Sequence, residues 1–205
     1  MKRKKRADRV AIWMPMPMAM PNPGEVVDHI VKLCTVADRH RVGQWMPVDR
    51  TGQLDYGRTH ACISALALGY SHILMLDADH IHKPHDLVER LLAHGKDVVG
   101  SLNYARGDGR ACMIPKYADE HPDDMGAGLG LVQCSAIGTG SLMIRLEAIK
   151  DWPQPWFYMP YDQTNLSTDH WPGEDGGFSL NCQKYGVEIW CDTELNSPHA
   201  TTTWI

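Results

Sequence analysis

The stretch Ser71-His72-Ile73-Leu74-Met75-Leu76-Asp77-Ala78-Asp79-His80 is a short apolar run that ends abruptly in two carboxylates one residue apart. Continuous apolarity from Ile73 to Leu76 is what a strand buried on both faces needs, and such strands lie at the centre of parallel sheets. The carboxylates then fall at the C-terminal end of the strand, the edge where open α/β sheets bind ligands. Two Asp side chains there repel each other unless a cation or a donor network offsets them. A divalent metal is the simplest partner. Magnesium and manganese favour carboxylate and water oxygens and commonly arrive with the phosphates of a nucleotide. An Asp-x-Asp pair is also an ordinary turn signal, so the rest of the chain has to decide.

The 205 residues suffice for one domain with a proper core and leave little room for a second. A net charge of -5 argues against a general nucleic-acid binder, which needs a basic face. No apolar run reaches the length of a membrane span, and the N-terminus lacks the apolar segment of a secretory signal, so a cytoplasmic location is expected. Six scattered cysteines without a Cys-x-x-Cys pair fit free thiols, several serving as small core residues. Residues 1–8 form a disordered basic tail. MKRKKR suits either a solvated tail or weak contact with an anionic membrane surface.

Further along, residues 9–14 (RVAIWM) read as the first strand, and Pro15, Pro17, Pro21 and Pro23 forbid a helix directly after it. A helical stripe follows over 25–37 and a second strand over 41–48, giving a right-handed βαβ unit. The next helix spans 56–68, with Ala61, Cys62, Ala65, Leu66 and Leu68 inward and Gly69 ending it. Its first turn carries Arg58, which faces the same sheet edge as Asp77 and is placed either to pair with a diphosphate or to lie solvated. His80, His82 and His85 lack the Cys pair or His-Glu-x-x-His helix of a zinc site. A helix over 86–94 and a buried strand over 97–102 come next. Residues 103–132 are Gly-rich and acidic, read as a substrate-covering loop or as disorder.

Gly138-Thr139-Gly140 permits close backbone approach to a ligand and precedes an apolar strand, without the spacing of a dinucleotide fingerprint. Residues 151–172 hold Trp152, Trp156, Phe157, Tyr158, Tyr161 and Trp171, side chains suited to stacking on a sugar ring or to filling a core. Gly173-Glu174-Asp175 opens a helix with Phe178, Leu180 or Asn181, Cys182 and Tyr185 inward. The last strand covers 187–191 and leads to Ser197-Pro198-His199.

Together these features resemble the nucleotide-sugar glycosyltransferases of the GT-A fold, in particular the large inverting family 2 type. The resemblance rests on Leu74-Met75-Leu76-Asp77-Ala78-Asp79 as the Asp-x-Asp motif and Gly138-Thr139-Gly140-Ser141 as the glycine loop. Gly173-Glu174-Asp175 is similar to the acidic acceptor-side motif, and His199 to the late histidine, all in the family's order. The implied fold is a Rossmann-like single domain over 9–205, a mainly parallel sheet flanked by helices, with a nucleotide-binding half (9–102) and an acceptor-binding half (103–205).

The resemblance implies that Asp79 binds manganese or magnesium directly, that Asp77 holds the ribose or reaches the metal through water, and that His199 adds a ligand. It implies Asp175 as general base, Glu174 as its orienting or acceptor-binding neighbour, and Arg58 on the phosphates. Pro15 and Asp49 follow the first two strands, where such enzymes hold the base, and Gly138 and Gly140 line the donor. The implied reaction moves one sugar from a nucleotide-sugar donor to a sugar or other hydroxyl-bearing acceptor with inversion. Alternatives are a retaining transferase of the same fold, a sugar-phosphate nucleotidyltransferase, and a catalytically silent carbohydrate-binding protein.

Overall fold

Chain order in the computed structural model, which describes residues 8–15, 31–35, 43–45, 53–104, 111–116, 127–160 and 173–198, follows from the alternation of apolar runs and helical stripes. The elements are β1 (Val10–Trp13), α1 (31–35), β2 (Gly43–Trp45), α2 (Leu54–Ala67), β3 (His72–Leu76), α3 (Leu87–Ala93) and β4 (Val98–Asn103). They continue with β5 (Met113–Pro115), β6 (Leu131–Ile137), β7 (Ser141–Arg145), α4 (Leu146–Ile149), α5 (Glu174–Tyr185) and β8 (Ile189–Ser197). One eight-stranded sheet runs in the order β2-β1-β3-β7-β4-β8-β6-β5. All strands but β6 and β7 point the same way, so the sheet is mixed and mostly parallel.

β3 is buried along its whole length, as its unbroken apolarity predicts. Its side chains alternate between two cores. Ile73 and Met75 join Ala61, Cys62 and Ala65 of α2 and Phe178 and Cys182 of α5 on one face. Leu74 and Leu76 meet Leu33 of α1 and Leu87, Val88 and Leu91 of α3 on the other. The result is a sheet between helical layers, a single domain. Gly69 and Gly95 take positive φ just beyond α2 and α3, where each chain must turn back into a strand.

Two expectations change, and an open choice is decided. The segment from 103 to 132 is not one loop: β5 and the start of β6 extend the sheet, and Tyr104 bridges Ala111, while 105–110 and 117–126 lie outside the described residues. Leu68 is exposed rather than inward, because α2 ends at Ala67 and its stripe runs through Ala61, Cys62 and Ala65. Of the aromatic residues in 151–160, Trp152, Trp156 and Phe157 serve the core. Trp156 and Phe157 are buried, Phe157 stacks on Phe178 with centroids 4.4 Å apart, and Trp152 stacks on Tyr185 at 5.0 Å. Tyr161 and Trp171 lie outside the described residues, as do the basic tail at 1–7 and most of the helix read over 25–37. All six cysteines are free thiols, and Cys62, Cys134, Cys182 and Cys191 are buried.

Segment 155–158 is pinned between α5 and α2. Asn181 Nδ2 donates to the Trp156 carbonyl at 2.9 Å, and the Phe157 N–H donates to Thr59 Oγ1 at 3.1 Å. Gly177 makes this approach possible, since a Cβ there would sit 1.9 Å from the Tyr158 carbonyl oxygen. Gly177→Ala is therefore expected to destabilise the fold by about 1–3 kcal/mol through overpacking. Thermal unfolding followed by circular dichroism checks this, and an unchanged Tm would mean that the Tyr158 carbonyl does not close on α5.

Candidate functional site

The C-terminal end of β3 delivers Asp77, and the backbone holds it there. Its N–H donates to the Gly140 carbonyl at 2.9 Å, tying the Asp-x-Asp turn to the glycine loop. His82 is fully buried, and its Nε2–H donates to the Asp77 carbonyl at 2.9 Å. Burial lowers the His82 pKa to about 4, so the ring is neutral and acts as a fixed prop. The parallel register of Trp13 with Met75 sets Pro15 level with Asp77.

Ligand atoms of Asp77, Asp79 and His80 all lie within 4.8 Å of one another, and His80 Nδ1 is 3.1 Å from Asp79 Oδ1. His80 is the residue that sequence reasoning missed. The sequence argues only that His80, His82 and His85 lack the pattern of a zinc site, whereas the adjacency of His80 to Asp79 at a tight turn is the usable signal. Neither His82 nor His85 joins the cluster.

The glycine loop spans the site floor. A Cβ at Gly140 would lie 3.1 Å from both His80 Cε1 and Asn103 Cγ. One at Gly138 would lie 3.0 Å from Cys112 Cβ and 3.8 Å from Asp175 Oδ2. The two glycines therefore touch the Asp-x-Asp side and the α5 side respectively. Beneath them, Ser101 Oγ is 3.0 Å from Ser197 Oγ and donates to Asn103 Oδ1 at 3.4 Å.

α5 starts at the same edge. Gly173 precedes its first turn, which carries Glu174 and Asp175. Asp175 Oδ1 accepts from the Gly176 N–H at 2.7 Å. The positive end of a helix favours an ionised carboxylate, but burial, reinforced by the charge of Glu174, outweighs it and raises the Asp175 pKa above its ordinary value.

Arg58 connects the two acidic groups. It lies one turn before Ala61 and Cys62 and two before Ala65 on the buried stripe of α2, so its side chain rises from the core and is 2% exposed. Nη2 donates to Asp77 Oδ1 at 2.8 Å and Nε to Glu174 Oε1 at 3.0 Å. Nη1 rests 3.9 Å from Met75 Sδ, and the guanidinium lies 5.8 Å from the centroid of the Trp13 ring. Burial opposes the charge, but Asp77 and Glu174 together raise the Arg58 pKa.

Of the residues named from the sequence, Asp77, Asp79, Glu174, Asp175, Arg58, Gly138, Gly140 and Pro15 share this edge. Asp49 and His199 lie outside the described residues. The carbonyl of Pro198, the residue before His199, accepts from the Ile81 N–H at 2.8 Å. A cavity of about 530 Å³ between β6 and the C-terminal end of α5, lined by Gln133, Cys134, Cys182 and Gly186, contains none of these residues.

No family model matches the sequence, and no curated protein does. Solved structures do match its fold. A197 from STIV superposes with a TM-score of 0.63 at 17% identity, over 95% of this chain and 86% of that one. GalNAc-T7, solved with UDP, GalNAc and Mn2+, gives 0.55 at 11% identity over 93% of this chain and 43% of that one. A Drosophila β1,4-galactosyltransferase 7 variant, solved with manganese, UDP-Gal and xylobiose, gives 0.50 at 14% over 95% and 71%. A UDP-glucose pyrophosphorylase also shares the fold. The likeness shows a GT-A-like fold for this chain and does not single out family 2.

Proposed function

We propose that this chain is a metal-dependent glycosyltransferase that moves one sugar from a nucleoside-diphosphate sugar to an acceptor hydroxyl, with inversion. One observation carries the reading. Arg58 joins Asp77 to Glu174, so the Asp-x-Asp turn and the acidic start of α5, nearly a hundred residues apart in sequence, form one site. A donor-side metal motif and an acceptor-side carboxylate within reach of each other are what a single displacement needs.

The donor set fits a divalent cation: two carboxylates and an imidazole with ligand atoms within 4.8 Å. Manganese or magnesium suits this set, with Asp79 and His80 as direct ligands, Asp77 through its oxygen not taken by Arg58, and His199 as a further ligand. When bound, the metal supplies Lewis-acid stabilisation of the diphosphate as it leaves. The backbone at Gly138 and Gly140 lets the donor lie close to the floor, and Pro15 and Asp49 flank the base.

Asp175 takes the proton of the acceptor hydroxyl while that oxygen forms a bond to the anomeric carbon. The bond from the anomeric carbon to the diphosphate oxygen breaks on the opposite face, which inverts the configuration. A base must be unprotonated to act, and burial makes Asp175 a stronger one than an ordinary carboxylate. The nucleotide-sugar donor and a sugar or other hydroxyl-bearing acceptor are the partners this chemistry requires.

Asp79→Ala is expected to abolish manganese-dependent binding of nucleoside diphosphates in calorimetric titration. Asp175→Asn is expected to retain that binding and to lower transfer by about 10²–10⁴-fold, the usual weight of a general base. Normal turnover in Asp175→Asn sinks the base assignment, and a wild-type chain without metal-dependent nucleotide binding sinks the whole reading. The pH profile adds a sign. Because burial raises the Asp175 pKa, kcat/KM should fall on acidification through a value above the usual carboxylate range of about 4, and this limb should be absent from the residual activity of Asp175→Asn.

A further inference from the structure

We propose that Arg58 is a positioning residue of this site, a buried charged brace that fixes the start of α5, and with it Asp175, against the end of β3. The inference rests on the glycosyltransferase reading and gives Arg58 a different task from pairing with the diphosphate. The guanidinium is already committed. Nε and Nη2 serve carboxylates on two separate elements, 116 and 19 residues away in sequence, and the side chain is 2% exposed. Its remaining edge faces Met75 Sδ and the Trp13 ring, which are core groups rather than solvent or ligand.

The geometry uses what only arginine has. Its planar fork presents donors in fixed directions, so two carboxylates held by Nε and Nη2 are held at a fixed separation. Lysine offers the same charge as a point on a flexible stem and cannot set that separation. The brace takes one oxygen from each of two acids, Asp77 Oδ1 and Glu174 Oε1. It thereby divides the four acids into two that it holds by one oxygen, Asp77 and Glu174, and two that it does not hydrogen-bond, Asp79 and Asp175. Thr59, the next residue of α2, accepts from the Phe157 N–H and donates to the Phe157 carbonyl through Oγ1, and so clamps the segment packed on α5. One turn of α2 thus registers β3, α5 and segment 155–158 together.

Removing the cation leaves Asp77 and Glu174 facing each other with their shared partner gone. The expected consequence is a displaced α5 start and a misplaced base, with nucleotide contacts largely kept. A misplacement of about 1 Å costs on the order of 100-fold in rate.

The test compares the full-length wild type, Arg58→Lys and Arg58→Met. Calorimetry with Mn2+ and UDP, GDP, ADP and CDP finds the nucleotide the wild type binds, and release of that nucleoside diphosphate from its sugar donors gives kcat and KM. The brace predicts that Arg58→Met keeps nucleoside diphosphate affinity within about tenfold while kcat falls about 100-fold at similar KM, and that Arg58→Lys recovers only part of kcat. A loss of diphosphate affinity beyond 100-fold makes Arg58 a phosphate ligand and overturns the brace while the transferase reading stands. An unchanged kcat overturns the brace as well. A wild type that binds none of the four nucleotides overturns the reading and the brace together. If Arg58→Met does not fold, Arg58→Lys carries the same comparison. If no donor turns over, hydrogen exchange decides. Faster exchange of the Gly176 to Phe178 amides in the variant supports the brace, and unchanged exchange overturns it.

Discussion

Like charges gathered at one edge of a sheet set the terms for everything around them. Asp77, Asp79, Glu174 and Asp175 bring four formal negative charges to the end of β3, and Arg58 brings one positive charge from beneath. Two unit charges about 4 Å apart interact by roughly 4 kcal/mol at an effective dielectric near 20, so such a cluster needs its cation in place before it can be compact. The arginine is hydrogen-bonded to two of the four acids and offsets one unit of their charge. The residual negative charge is what a divalent cation would meet, and the division of labour among the carboxylates follows from which of them the arginine already holds.

The scaffold makes that arrangement rigid. β3 cannot shift, since its alternating side chains lock into two different cores on its two faces. α5 cannot rise away from it, because Gly177 lets the Tyr158 carbonyl close over the helix and Asn181 holds the Trp156 carbonyl. The glycine loop crosses between them with no Cβ at Gly138 or Gly140 to hold them apart. Precision at the edge therefore comes from packing and backbone contacts well below it.

Much of this was legible in the chain alone. The apolar run into Asp77, the helical stripe through Ala61, Cys62 and Ala65, and the Gly-Glu-Asp helix start each carry a local signal, and the structure places them at one edge. The aromatic stretch was ambiguous in sequence because Trp and Phe suit a sugar platform and a core equally well, and packing against Phe178 decided it. β5 and β6 were not legible, since Leu131–Ile137 is only partly buried, follows a Gly-rich run, and gains its strand character by pairing with β8. Arg58 was read as a cation at the right edge, but its partner Glu174 lies 116 residues away. Local pattern cannot reveal a pairing of that span.

The sheet order has a consequence for how such a chain comes into being. β8, made after every other strand described, occupies an interior place between β4 and β6. A chain that has emerged only as far as α5 therefore has a split sheet, with the facing edges of β4 and β6 unfilled and Ser101 lacking Ser197. Unpaired edges of that kind invite pairing with other chains. Arrival of β8, rather than early collapse, is the event that both seals the sheet and brings Ser197 to Ser101.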